Sequence, residues 1–208
     1  ELGRPETLTG PRQFFPAPPP RILRSYRTGK CSSWFEKKAA EVGFERPAGT
    51  DEAGRGALFG PVMAAAVILD PGRPIKGLND SKQLTAMQRE KLEIEIKATA
   101  LGWAVAEVSA EEIDRINIYQ ASRVALRQAV LNLSPQPDFV FVDAMRLDLI
   151  TPQLSLIHGD AICQSIAAAS ILAKVERDRR MQSFDQQYPG YNLAGNKDRK
   201  STRLNSSH

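Results

Sequence analysis

Histidine is nearly missing from this 208-residue chain: only His158 and His208 are present. That excludes most imidazole-based zinc sites and leaves a Ser-His-Asp triad resting on His158 alone. Cysteine is as scarce. Cys31 and Cys163 make no disulfide framework, which points to a reducing, cytoplasmic setting. Long apolar runs are also lacking. The two longest weakly polar stretches, 57–69 and 161–173, hold 13 residues each and are interrupted by Gly, Pro, Gln or Ser. A membrane span needs about 20 apolar residues, so no membrane-spanning helix is expected. Nor does a basic segment, an apolar run and a small-residue cleavage site open the chain, which argues against secretion. Carboxylates are left to carry any chemistry.

Apolar residues at 42% and charged residues at 25% suit one globular domain with a real core. The net charge of +4 is unevenly spread. Residues 1–30 hold six Arg or Lys against two Glu, and 198–208 hold three against one Asp. The body, 31–197, has 19 basic and 21 acidic residues. Global basicity is therefore no argument for nucleic acid; a local site must supply it.

Residues 1–30 contain six of the 14 prolines and no structural period, so they read as disordered or extraneous. The first residue is Glu, and the natural start is expected upstream. Trp34 to Val42 suggest a short helix ending near Gly43. Two strands are predicted around a glycine-rich turn, one over Pro47–Gly56 and one over Pro61–Leu69. Thr85 with Gln88, and Ser109 with Glu112, read as capping boxes opening two helices. Gly102–Val108, Phe139–Val142 and Leu154–Ile157 read as strands, and a long helix is predicted from Asp160 with Asp160 as its N-cap. Mixed strands and helices without repeats imply a single α/β domain of residues 31–197.

Asp51 and Glu52 stand at a predicted strand end, directly before Gly54-Arg55-Gly56. Alone, the pair reads as a solvated acidic turn. A dinucleotide loop is a second reading, but Gly54, Gly56 and Gly60 are spaced G-x-G-x-x-x-G, one residue too long, and Pro61 is poor inside a phosphate-binding helix. Asp143 closes the apolar run Phe-Val-Phe-Val, at the strand edge where α/β sheets bind ligands. Four acids at the edges of core elements suit a hard cation, Mg²⁺ or Mn²⁺, working on phosphate esters.

Several segments resemble the ribonuclease HII family. They are Asp51-Glu-Ala-Gly-Arg-Gly56, Gly60-Pro-Val-Met-Ala-Ala-Ala-Val67, Gly77-Leu-Asn-Asp-Ser-Lys82, Ile113-Asp-Arg-Ile-Asn-Ile118, Gly159-Asp160, Ile166 to Val175, Arg177-Asp178 and Tyr188-Pro-Gly-Tyr191. The likeness runs in order from about residue 33 to 197. It implies a ribonuclease H-like mixed sheet flanked by helices. It also implies a monomeric endonuclease that cuts the RNA strand of RNA–DNA hybrid duplexes and single ribonucleotides embedded in DNA, leaving 3′-hydroxyl and 5′-phosphate ends. By position, Asp51, Glu52, Asp143 and Asp160 match four acids holding two divalent metals, Mn²⁺ or Mg²⁺. Gly54, Arg55 and Gly56 match the turn that reads the ribose 2′-hydroxyl, and Lys82 a phosphate contact.

Two departures stand out. Where the family usually has Asp-Gly, this chain has Asp143-Ala144. After Lys197 the sequence Asp-Arg-Lys-Ser-Thr-Arg-Leu-Asn-Ser-Ser-His follows. It resembles nothing in the family and reads as one translated frame of a common sequencing adapter, so 198–208 is expected to be a non-native tail in place of the family's C-terminus, with its substrate-stacking tyrosine. Two rival functions are a nucleic-acid-binding module without catalysis, separable by metal-dependent cleavage, and an oxidoreductase on the Gly54–Gly60 loop, separable by metal-free dinucleotide binding.

Overall fold

A computed structural model describes residues 15, 16, 18–23 and 31–195; the side chains of Arg21 and Leu23 are not described. Five strands form one mixed sheet: β1 (Pro47–Ala53), β2 (Val62–Ile68), β3 (Gly102–Val108), β4 (Phe139–Asp143) and β5 (Gln153–Leu156). Their order is β3-β2-β1-β4-β5. The β1–β2 and β2–β3 pairs are antiparallel, and the β1–β4 and β4–β5 pairs are parallel. The strands predicted at 47–56 and 61–69 thus form a hairpin around the glycine-rich turn.

The helices are α1 (Pro20–Leu23), α2 (Trp34–Glu41), α3 (Ala86–Thr99), α4 (Ala110–Ile116), α5 (Ile118–Leu131), α6 (Gly159–Ile162) and α7 (Gln164–Gln187). All seven residues of β2 are buried, because both sheet faces are covered. One face packs Ala64, Ala66 and Val142 against Ala121, Ala125 and Leu126 of α5. The other packs Ala65 and Val67 against α3 and the alanine-rich face of α7. Small residues let α7 lie close: a Cβ at Gly49 would come within 2.2 Å of the Ser165 carbonyl carbon. No described helix is long and apolar enough to cross a membrane.

Several local expectations change. The capping box at Thr85 and Gln88 forms with both bonds. At Ser109 only half forms: Ser109 Oγ accepts from Glu112 N at 3.3 Å, while the Glu112 carboxylate accepts from Arg115 instead. The helical pattern after Ser109 is split at Asn117, whose φ of 69° breaks it and whose side chain caps α5. The helix predicted from Asp160 is split too. Asp160 lies inside the one-turn α6 and is not its cap, since His158 holds that place with φ 57°. Cys163 is extended, drawn into a parallel bridge with Ser32, and α7 begins after it. In the segment expected to be disordered, Phe15 and Ile22 instead pack on Phe139 and its cluster. Most of residues 1–30, and all of 198–208, lie outside the described residues.

Candidate active site

Strand pairing sets the first two acids side by side. The β1–β4 register runs from Pro47 opposite Phe139 to Thr50 opposite Val142, and Asp51 and Asp143 are the next residue on each strand. Successive strand side chains alternate between faces. Asp51 is therefore on the face of Ala65, under α7, and Glu52 on that of Ala64, under α5. Asp51 is only 6% exposed. Its Oδ1 accepts from Glu52 N at 2.8 Å, and the buried Ser170 hydroxyl of α7 also bonds it. Ser170 Oγ lies 2.9 Å from Ser81 Oγ, tying α7 to the 78–84 loop.

That loop delivers Lys82. Asp80 caps the short turn Ser81–Gln83 by accepting from Lys82 N at 2.9 Å. Lys82 Nζ then reaches Asp160 Oδ2 at 3.2 Å and Asp80 Oδ1 at 4.0 Å. Asp160 is buried in α6, and Asp143 Oδ1 accepts from Gly159 N at 2.7 Å, so α6 is fastened to the end of β4. On the other side, Arg55 Nη1 lies 3.6 Å from Glu52 Oε1 and its guanidinium 5.6 Å from the Tyr119 ring centre. Ala57 N bonds Gly54 O at 3.0 Å, closing the Gly54–Ala57 turn, with Gly54 at φ 106°. All eight sequence-predicted residues thus lie on the carboxyl ends of β1 and β4 or on elements fastened beside them.

Burial pushes the Asp51 carboxyl well above the usual carboxylate range, and Glu52, Asp143 and Asp160 push it further; the Ser170 bond opposes them. Glu52 is raised by burial first and by Asp143, against the pull of Arg55. Asp143 is raised by burial and Asp160, against the Gly159 amide, Lys82 and His158. For Lys82, burial alone would lower the pKa, but Asp160 and Asp80 leave it raised. The cluster is thus short of positive charge, and its donors are all hard carboxylate oxygens, which fits Mg²⁺ or Mn²⁺ better than softer metals. As they stand, no three acidic, histidine or cysteine side chains among the described residues form a ready metal-binding group. Donor chemistry and charge fit a divalent cation; the side chains would have to draw together around it.

Ser170, Ser81 and Arg177 went unassigned in the sequence. Ser170 sits in an alanine-rich helical face, where a hydroxyl reads as packing. Arg177 reads as part of a charged helix end, yet it is 1% exposed.

Comparison with known proteins agrees with this architecture. The family profile for ribonuclease HII matches residues 48–204, a span that overlaps the first part of the 198–208 tail. Ribonuclease HII of Solibacter usitatus is 54% identical over 168 residues, covering 81% of this chain and 74% of its own. Ribonuclease HII of Koribacter versatilis is 52% identical over 175 residues, covering 84% of this chain and 69% of its own. Ribonuclease H2 of Pyrococcus horikoshii superposes with a TM-score of 0.61 at 30% identity, covering 69% of this chain and 77% of that one. The mixed sheet with flanking helices is the ribonuclease H-like fold, and the chain belongs to the ribonuclease HII family of endoribonucleases.

Proposed function

We propose that this nuclease cuts the RNA strand of RNA–DNA hybrids, and the DNA strand beside a single embedded ribonucleotide, leaving 3′-hydroxyl and 5′-phosphate ends. The observation that carries the reading is the mutually repelling group of buried Asp51 and Asp160 and half-buried Glu52 and Asp143 beside the Gly54–Ala57 turn. These four acids would hold two divalent cations, Mg²⁺ or Mn²⁺. When bound, such ions activate water and offset charge building on a phosphate. The chain's own residues do the rest. Ser170 and the Gly159 amide orient Asp51 and Asp143. Lys82, 79% exposed at its side chain, can exchange Asp160 for a substrate phosphate. The main chain of Gly54, Arg55 and Gly56 would face the ribose, where the 2′-hydroxyl separates RNA from DNA. We assign catalysis to residues 31–197.

The test is cleavage of a duplex with one embedded ribonucleotide, against an all-DNA duplex of the same sequence, in Mg²⁺ or Mn²⁺. The ribonucleotide duplex should be cut and the other spared. Asp51→Asn and Asp143→Asn should each abolish cleavage while duplex binding persists. Near-native turnover by either variant would overturn the four-acid assignment, and binding without any cleavage by the parent chain would favour a binding module.

A further inference from the structure

The turn that carries Gly54, Arg55 and Gly56 is closed by the Ala57 N to Gly54 O bond, and its second half is held from outside. Between β1 and β2 it runs through Gly54 at φ 106° and Gly60 at φ 87°, conformations that side-chain-bearing residues rarely adopt. Leu58 and Phe59 within it are exposed. Two of its backbone carbonyls, at Phe59 and Pro61, turn inward to one side chain from the middle of α7. Arg177 Nε donates to Pro61 O at 3.1 Å, and Arg177 Nη2 donates to Phe59 O at 2.9 Å. The same side chain fills the space over the first hinge: a Cβ at Gly54 would lie 2.4 Å from Arg177 Nε and 2.9 Å from its Cδ. One helical turn on, Met181 closes the second hinge, where a Cβ at Gly60 would lie 2.6 Å from its Sδ.

A guanidinium buried to 1% exposure is expensive to desolvate, so it persists only where acceptors are fixed around it. Its planar fork suits two carbonyls held at a set angle, which a lysine ammonium cannot match. Arg177 touches none of the four acids through these bonds; it grips the turn beside them.

We infer that Arg177 is a positioning residue for ribose recognition: by clamping the Phe59 and Pro61 carbonyls against α7 it fixes the Gly54–Gly56 main chain in the pose that distinguishes a ribonucleotide from a deoxyribonucleotide. The inference rests on the reading of that turn as the ribose-facing element. A displacement of about 1 Å in such a contact is enough to lose one to two orders of magnitude. Removing the clamp should therefore act on substrate choice, and not on duplex binding in general.

The experiment measures affinity for a duplex with one embedded ribonucleotide and for the all-DNA duplex of the same sequence, in chelator so that neither strand is cut. The full chain is compared with Arg177→Met, Arg177→Lys and Gly54→Ala, and thermal unfolding is followed in parallel. In Arg177→Met the ratio of the two affinities should fall about tenfold, with all-DNA affinity nearly unchanged. Arg177→Lys, keeping the charge and one bond, should lose about threefold of the ratio. Gly54→Ala should fall with them. A merely structural arginine would weaken both duplexes together and leave the ratio unmoved, which overturns the inference. If Gly54→Ala lowers the ratio and the Arg177 variants do not, the clamp is wrong and the turn's role survives. If none lowers it, the ribose reading itself fails. Should Arg177→Met not fold, Arg177→Lys decides alone, and an unchanged ratio there overturns the inference.

Discussion

At the scale of single residues, the site opposes stability. Asp51 is buried among three other acids, and its carboxyl titrates higher in the folded chain than in the unfolded one. Between those two values the folded state binds more protons, so stability falls as pH rises through that interval. In chelator, Asp51→Asn should accordingly melt higher than the parent at pH 7 and lose that advantage near pH 4. Added Mg²⁺ should raise the melting temperature of the parent and not that of the variant. Scanning calorimetry at both pH values checks this. Ala144 tells a related story. The residue after Asp143 has φ 45°, the left-handed region where an alanine is strained by about 1 kcal/mol. Ala144→Gly should stabilise the chain by up to about 1 kcal/mol in urea denaturation, partly offset by unfolded-state entropy. The four acids were legible in the sequence because each stands at the edge of a predicted core element, inside segments that resemble the ribonuclease HII motifs. Ser170 and Arg177 were not, because burial of a polar side chain depends on what another element places over it.

At the scale of elements, the break between α6 and α7 shapes the site. Cys163 leaves the helix to bridge Ser32, and the freed start of α7 is capped from α2: Glu36 Oε1 accepts from Ser165 N at 2.7 Å and from Ser165 Oγ at 2.8 Å. A side chain from α2 thus fixes the origin of the helix that carries Ser170 and Arg177. Glu36→Ala should destabilise by about 2 kcal/mol, and Glu36→Gln by less, since it keeps an acceptor. Urea midpoints measure both. Periodicity reveals most of these elements, because a face of apolar residues is a local property of the chain. It misses the Asn117 and Cys163 breaks for a physical reason. At Asn117 the break lies in a left-handed backbone conformation, and at Cys163 in an extended residue whose pairing partner, Ser32, lies far away in sequence.

At the scale of the whole molecule, charge and chemistry are separated. The body of residues 31–197 is slightly acidic, whereas residues 1–30 carry a net charge of +4. Part of that N-terminal segment also packs, with Phe15 against Phe139 and Ile22 buried beside it. Removing residues 1–30 should therefore do two things: lower the melting temperature by a few degrees, and flatten the salt dependence of duplex binding. Calorimetry and titrations across salt concentrations separate the effects.

The order of strands also has a consequence for birth of the chain on the ribosome. β1, β2 and β3 form an antiparallel meander from neighbouring sequence, while β4 inserts later beside β1 as its parallel partner. Until that insertion, Asp51 has neither Asp143 nor Asp160 near it, and its carboxylate remains tolerable. The crowding of negative charge is thus postponed to the final docking event, after the local scaffold has formed. Divalent ions would then favour the completed nuclease over its half-made precursor, and slow its unravelling more than they hasten its assembly.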